Sequence, residues 1–489
     1  MPYSHIGVDS SAAQRSLAQA LAALGGEFSL PMDFSPEVLA EVEQVMANHQ
    51  LPATDLRALP FITLDPPTSQ DLDQALYLER EGDGYVVYYA IADVPAFVPA
   101  AGALDAETRR RGQTIYTPGQ RIPLHPVPLS EGAASLLPDG PRSAFVWEIH
   151  LTSDAEQRAC SVRRATVASI AKLSYAQGQK MHDDANAPAA IAGTLELLAE
   201  IGPKRIQLER ARGGASLNVP AQEVEYADGR YVLQFRPNLP IEDWNAQISL
   251  LTGMAAAQIM IAGKVGILRT MPAPDAEAIA AYRLQTVALG HPWGQDLAYG
   301  EYLRSLDTSK PAHLALMHAA TTLFRGAGYT PFQGEVPAQL LQAAVGAPYA
   351  HATAPLRRLV DRFVLAICAA LCAGEEAPEW AVAALAELPD IMAASNQLAN
   401  RVDRAAVDTI EAAILRHRVG EEFHAVVLAG PRKNGTGSNG AAPRSPIQIE
   451  VPAITAFCEG ALEPGTEVRV KLVEADIATR TVRFIPAGS

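Results

Sequence analysis

Leu64-Asp65-Pro66-Pro67-Thr68-Ser69-Gln70-Asp71-Leu72-Asp73-Gln74-Ala75-Leu76 sets three carboxylates within nine residues, between two apolar runs. The flanking runs, Phe61-Ile62-Thr63-Leu64 and Ala75-Leu76-Tyr77-Leu78, read as strands. Pro66 and Pro67 hold the acids out of helix, in an extended turn. Glu81-Gly82-Asp83-Gly84 then turns the chain into Tyr85-Val86-Val87-Tyr88-Tyr89-Ala90-Ile91, which predicts a hairpin. Carboxylates converging from one loop repel each other unless a hard cation joins them. Magnesium suits such a cluster, since it takes oxygen ligands, keeps waters and partners phosphate. The same segment also reads as a solvated acidic loop in which Asp71 caps a turn.

Working outward, residues 10–50 predict a small helical unit. Leu17, Leu21 and Leu24 repeat at near-helical spacing, and Ser35-Pro36-Glu37 opens a second helix with a serine cap and an early proline. The unit reads equally as an RNA-gripping helix-turn-helix or as packing. From about 165 to 418 the pattern is largely helical, with Ala-rich segments at 246–263, 313–326, 361–373 and 393–417. The last places Leu398, Val402, Ala406 and Ile410 on one stripe. After Gly420, Phe423–Leu428, Ile447–Val451, Glu467–Leu472 and Thr481–Phe484 predict short strands of a small barrel of the oligonucleotide-binding type. Gly430–Gly440 is a loop by composition, with Arg432 and Lys433 either touching RNA or solvated. The expected class is α+β, divided into 1–50, 51–418 and 419–489.

A second constellation is Tyr349-Ala350-His351-Ala352-Thr353-Ala354-Pro355-Leu356-Arg357-Arg358-Leu359-Val360-Asp361. It reads as a loop entering a helix, with Pro355 near the first helical position, free backbone amides and two guanidiniums. Such a helix start attracts anions. A structural pair of Arg357 or Arg358 with Asp361 is the other reading. An acid cluster and an arginine-bearing phosphate site together describe phosphoryl transfer.

Bulk properties set limits. The 489 residues predict several units, and 48% hydrophobic with 19% charged residues is ordinary for a globular protein. The formal charge of −15 argues against non-specific coating of nucleic acid but allows a local basic channel. Only seven of the 39 cationic residues are lysine; guanidinium suits bidentate phosphate contacts, and gene base composition would produce the same bias. Cys160, Cys368, Cys372 and Cys458 have no zinc-ligand spacing and read as reduced thiols. No apolar run approaches the roughly 18 residues of a membrane helix. Met1-Pro2-Tyr3-Ser4-His5 lacks a basic segment leading into an apolar one, so no signal peptide and a cytoplasmic location are expected.

The chain resembles the catalytic domain of the ribonuclease II (RNB) family across roughly 55–418, with an S1-like barrel after it. The resemblance rests on Thr63 through Asp73, on Ala90-Ile91-Ala92-Asp93-Val94, on Arg111-Gly112-Gln113-Thr114-Ile115-Tyr116-Thr117-Pro118, and on His351 through Asp361. It implies processive 3′ to 5′ hydrolysis of single-stranded RNA to nucleoside 5′-monophosphates, with two magnesium ions, or manganese in their place, at the acid cluster; separately from the resemblance, a monomer is expected. It further implies that Asp65, Asp71 and Asp73 are metal and catalytic acids and that Tyr116 stacks on the 3′-terminal base. Arg357 resembles the family's catalytic arginine, with Arg358 as helper, and Asp403 stands where the family usually has a glutamate near the terminal nucleotide.

Three departures qualify the resemblance. Gln74 stands where a fourth acid is usual; its amide oxygen can coordinate but brings no charge. Asn245-Ala246-Gln247 replaces a region that commonly carries glutamates. The segment before residue 50 is too short and too helical for the paired cold-shock barrels usual there. Two other readings follow: a weak or inactive RNA-binding relative compromised by Gln74, and a metal phosphatase for small molecules, against which the C-terminal barrel speaks.

Overall fold

The computed structural model describes residues 11–118, 120–215, 221–227, 230–236, 238–431, 443–451 and 454–488. Most of the glycine-rich loop, including Arg432 and Lys433, lies outside these residues.

The acid segment sits at one end of a six-stranded sheet. Its strand order is Gln157–Val167, Arg142–Leu151, Gly84–Ala92, Gln74–Glu81, Phe61–Asp65, Ser169–Ser174. Every neighbouring pair is antiparallel except the last, where Asp65 lies opposite Ser174 in a parallel ladder. Side chains alternate between the two faces of such strands. Ile62, Leu64, Leu76, Leu78, Val87, Tyr89 and Ile91 pack on one face against the helices Ala189–Ala211, Pro240–Gly263 and Leu359–Cys372. Phe61, Ala75, Ala90 and Ala92 pack on the other, against Val38 and Val42 of the helix Pro36–Asn48 and Leu104 of the helix Ala103–Arg111. Both faces are covered, which explains the near-continuous apolar runs. Gly84 is required where it stands, because a Cβ there would lie 2.1 Å from the Leu151 carbonyl oxygen.

The structure has the expected α+β class and the expected C-terminal barrel. The barrel closes through Glu422–Val427, Arg444–Ile449, Ile454–Glu459, Thr481–Pro486 and Glu467–Asp476. Its third strand, Ile454–Glu459, was not among the expected ones. The 28-residue helix Leu388–Leu415 joins the two units, and Ala405, Ala406 and Ile410 share a core with the barrel and with Leu17, Leu21 and Leu24 of the helix Ser11–Glu27. The helix Pro36–Asn48 starts as expected, with the Ser35 hydroxyl accepting from the Val38 amide at 3.3 Å.

The stretch 165–418 is less uniformly helical than expected. Val265–Thr270 pairs with Gly328–Gln333, Ala221–Ala227 with Arg230–Arg236, and Leu341–Gln342 with Ala347–Pro348. Lys264 adopts a left-handed conformation (φ 55°), ends the helix before it, and releases Val265-Gly266-Ile267-Leu268 as a strand. Against expectation, Pro240–Gly263 is long and apolar enough to cross a membrane by composition. Its Ile248, Leu251, Ala255, Ala256, Ala257 and Met260 lie in the main core, so the folded chain uses it as a core helix.

Candidate active site

The loop from Asp65 to Asp73 is held on both sides by atoms far away in sequence. Ser135 Oγ donates to the Gln70 carbonyl at 2.6 Å and accepts the Leu72 amide at 2.9 Å. The Lys172 ammonium donates to the carbonyls of Pro67 and Ser69. Asp73 carries the turn into the next strand, where its carbonyl accepts the Ala92 amide at 2.9 Å.

The second constellation reaches the same place. Asp73 Oδ1 accepts the Leu356 amide at 2.7 Å, and the Arg357 Nε stands 3.6 Å from Asp73 Oδ2. The segment after Arg111 completes the junction: the Thr114 amide donates to the Arg357 carbonyl at 3.0 Å, and the Leu359 amide to the Gly112 carbonyl at 3.0 Å. Gly112 has φ +71°, and a Cβ there would strike Ser395. These bonds hold Arg358 extended (φ −137°, ψ 120°), so the helix begins at Leu359, not near Pro355 as expected. The backbone amides expected to be free for an anion are used by the chain's own carboxylates, Leu356 by Asp73 and Ala354 by Asp361.

Asp65, Asp71, Asp73, Gln74, Tyr116 and Arg357 line one cleft of about 660 Å³. Asp65 Oδ2 is buried without a hydrogen-bond partner. Burial pushes the Asp65 carboxyl up to about 7; Asp71 adds to the rise, while Arg357 and Lys172 oppose it. Burial also raises Asp73 well above the usual carboxylate range, against the pull of Arg357 and the Leu356 amide. Asp71 is engaged at both oxygens, Oδ1 by Arg121 Nη1 at 2.8 Å and Oδ2 by the Tyr116 hydroxyl at 3.1 Å. Gln74 Nε2 donates to the Thr353 carbonyl at 2.5 Å, which commits the nitrogen and leaves the amide oxygen. Arg357 and Tyr116 are open to solvent, their side chain and residue 51% and 47% exposed respectively.

The donor set suits a divalent cation that prefers oxygen: carboxylates drawn out of water, one with an orphaned oxygen, beside an amide oxygen. Among the described residues no three His, Cys, Asp or Glu side chains are already gathered closely enough to hold an ion. Asp71 lines the same cleft, with its two oxygens on Arg121 and Tyr116.

Two expected RNA contacts are placed elsewhere. Arg358 gives Nε and Nη2 to Asp361 at 2.7 and 2.8 Å, the structural i, i+3 pair, and does not line the cleft. Asp403 is exposed on the helix Leu388–Leu415 and does not line it either; burial of part of its carboxyl raises its pKa. Neighbouring Arg404 pairs with Asp408 at 2.9 Å, not with Asp403. Asp93 is also structural, bound by Ser143 and Arg164 at 2.8 and 2.9 Å.

Sequence reasoning missed Arg121, Glu131 and Lys172. Arg121 and Glu131 line the cleft, and Lys172 braces its floor. Arg121 had a legible signal, being the cross-strand partner of Tyr116 in the hairpin Ile115–Thr117/Gln120–Ile122. Glu131 sits in an irregular helical turn that no sequence pattern announces.

Comparison with known proteins gives matches over most of the chain. The RNB domain matches residues 53–373, and the RNase II-type exonuclease C-terminal S1 domain matches residues 421–487. Ribonuclease R of Escherichia coli (strain K12) is 28% identical over 344 residues, covering 68% of this chain and 42% of that protein. The chain thus spans less than half the length of such curated relatives. Mycoplasma genitalium RNase R, solved in complex with ribose-methylated single-stranded RNA, aligns at TM-score 0.84 and 18% identity, covering 96% of this chain and 78% of that one. Yeast Ssd1, a pseudonuclease, aligns at TM-score 0.66 and 16% identity, covering 91% and 54%. At these identities the structural likeness speaks for the fold alone, and a fold shared with a pseudonuclease does not assign activity.

Proposed function

The chain belongs to the RNB domain family, and from that premise we propose that it is an exoribonuclease that hydrolyses single-stranded RNA from the 3′ end and requires magnesium or manganese. One observation carries the reading: acids, an arginine and an aromatic ring from three separate stretches of sequence line a single cleft. Asp65, Asp71, Asp73 and the Gln74 amide oxygen would hold the metal, which supplies an activated water and neutralises charge on the leaving oxygen. Tyr116, half exposed, offers a stacking face to the terminal base. Arg357, exposed beside Asp73, is placed to stabilise charge on the scissile phosphate. Water adds to phosphorus and the P–O3′ bond breaks, leaving a 3′-hydroxyl on the shortened RNA and a nucleoside 5′-monophosphate as product.

A second reading, a weak or inactive RNA-binding relative, is favoured by Gln74, which brings no charge to the acid cluster. Incubation of a 5′-labelled oligonucleotide separates the two. A ladder of shortened products with magnesium, stopped by EDTA, is the result expected of the enzyme. A gel shift without shortening would replace it by the binder.

A further inference from the structure

Arg121 belongs to none of the motifs that point to the site, yet it touches two acids at once. Its Nη1 meets Asp71 Oδ1 at 2.8 Å, and its Nη2 meets the carboxylate of Glu131. It stands directly across the hairpin from Tyr116, whose hydroxyl takes the other oxygen of Asp71. One cross-strand pair therefore grips both ends of a single carboxylate. The hairpin itself is seated: Ile115 and Ile122 are buried against Leu30 and Val402, and Arg111, at the foot of the hairpin, binds the Asp33 and Pro123 carbonyls and stacks on Phe34 at 3.6 Å.

Resting on the function proposed above, we infer that Arg121 is a positioning residue, a fork clamped by Glu131 that aims Asp71 at the divalent cation. Charge decides between this role and its opposite. A lone guanidinium beside a ligand would repel a cation. Here Glu131 cancels that charge, so Asp71, Arg121 and Glu131 together keep a net charge of −1, the same as Asp71 alone. What the fork adds is orientation, the role that groups hydrogen-bonded to metal ligands commonly play, at about 10–100-fold in affinity. Lysine cannot replace it, because a point charge makes no two-pronged contact with two acids.

The test measures Mn2+ binding to the full-length protein by electron paramagnetic resonance, without RNA, beside RNA binding in EDTA. Arg121→Ala is expected to weaken Mn2+ binding about tenfold or more, with RNA binding in EDTA unchanged, and Arg121→Lys is expected not to rescue it. Glu131→Gln, which keeps the side-chain shape, is expected to weaken Mn2+ binding in the same direction by leaving the guanidinium uncompensated. Unchanged or tighter Mn2+ binding in Arg121→Ala would overturn the inference alone. An equal loss of RNA binding in EDTA would overturn it too, making Arg121 a direct RNA contact. A wild-type protein that binds no Mn2+ would overturn the proposed function and the inference together.

Discussion

Asp65 and Asp73 show why these carboxylates suit a cation better than water. Both are drawn out of solvent, and Asp65 keeps an orphaned oxygen, an arrangement that costs free energy until a cation joins it. Gln74 leaves that site one charge short of four acids. Gln74→Asp is therefore expected to tighten metal binding and lower the magnesium concentration for half-maximal cleavage; an unchanged magnesium titration would show that position 74 does not face the ion. His125 lies beneath the same turn, its Nδ1 3.1 Å from the Leu356 carbonyl and its Nε2 buried without a partner. Burial lowers its pKa to about 4 from 6.5. The unfolded chain then binds a proton that the folded one does not, so stability is full above pH 6.5 and falls as the pH drops toward about 4. The loss reaches about 3 kcal/mol, and His125→Asn is expected to flatten the dependence of the thermal midpoint across that window.

The hairpin Ile115–Thr117/Gln120–Ile122 is the element on which most depends, since it brings Tyr116 and Arg121 to Asp71. It is too short to stand alone and relies on Leu30, Val402 and the helix Leu388–Leu415. Leu30→Ala is expected to cost about 2–3 kcal/mol and to speed hydrogen exchange at the hairpin amides more than in the central sheet; equal change in both would mean that Leu30 supports the fold at large. Leu30 lies between the N-terminal helices Ser11–Glu27 and Pro36–Asn48, whose Leu17, Leu21, Leu24, Val38 and Val42 are buried in the cores. Element types were legible where the period was long, as in Leu398, Val402, Ala406 and Ile410. Short apolar runs such as Val265-Gly266-Ile267-Leu268 were not, because a strand of six residues and a stretch of buried helix look alike in sequence.

On the scale of the molecule, four motifs spread along the chain meet at one end of one sheet. The acids and Arg357 were legible as parts of a common site, since proline-bounded acids and paired guanidiniums carry recognisable chemistry, whereas Tyr116 was legible only through the family resemblance. The chemistry of paired guanidiniums did not separate Arg358 from Arg357, though the resemblance gave them different roles; the long-range bonds to Gly112 and Thr114 leave Arg357 facing the cleft and Arg358 on Asp361. Glu131 was hidden, and Arg121 was legible only as the cross-strand neighbour of Tyr116, because the role of both rests on contacts across the cleft. The central claim, that these groups act together on one phosphodiester through a metal, is tested most directly by Asp73→Asn on a 5′-labelled single-stranded RNA with magnesium. The substitution removes a metal charge while keeping shape, so the product ladder should vanish while the RNA still binds. A ladder that persists at wild-type rate in Asp73→Asn would contradict the account.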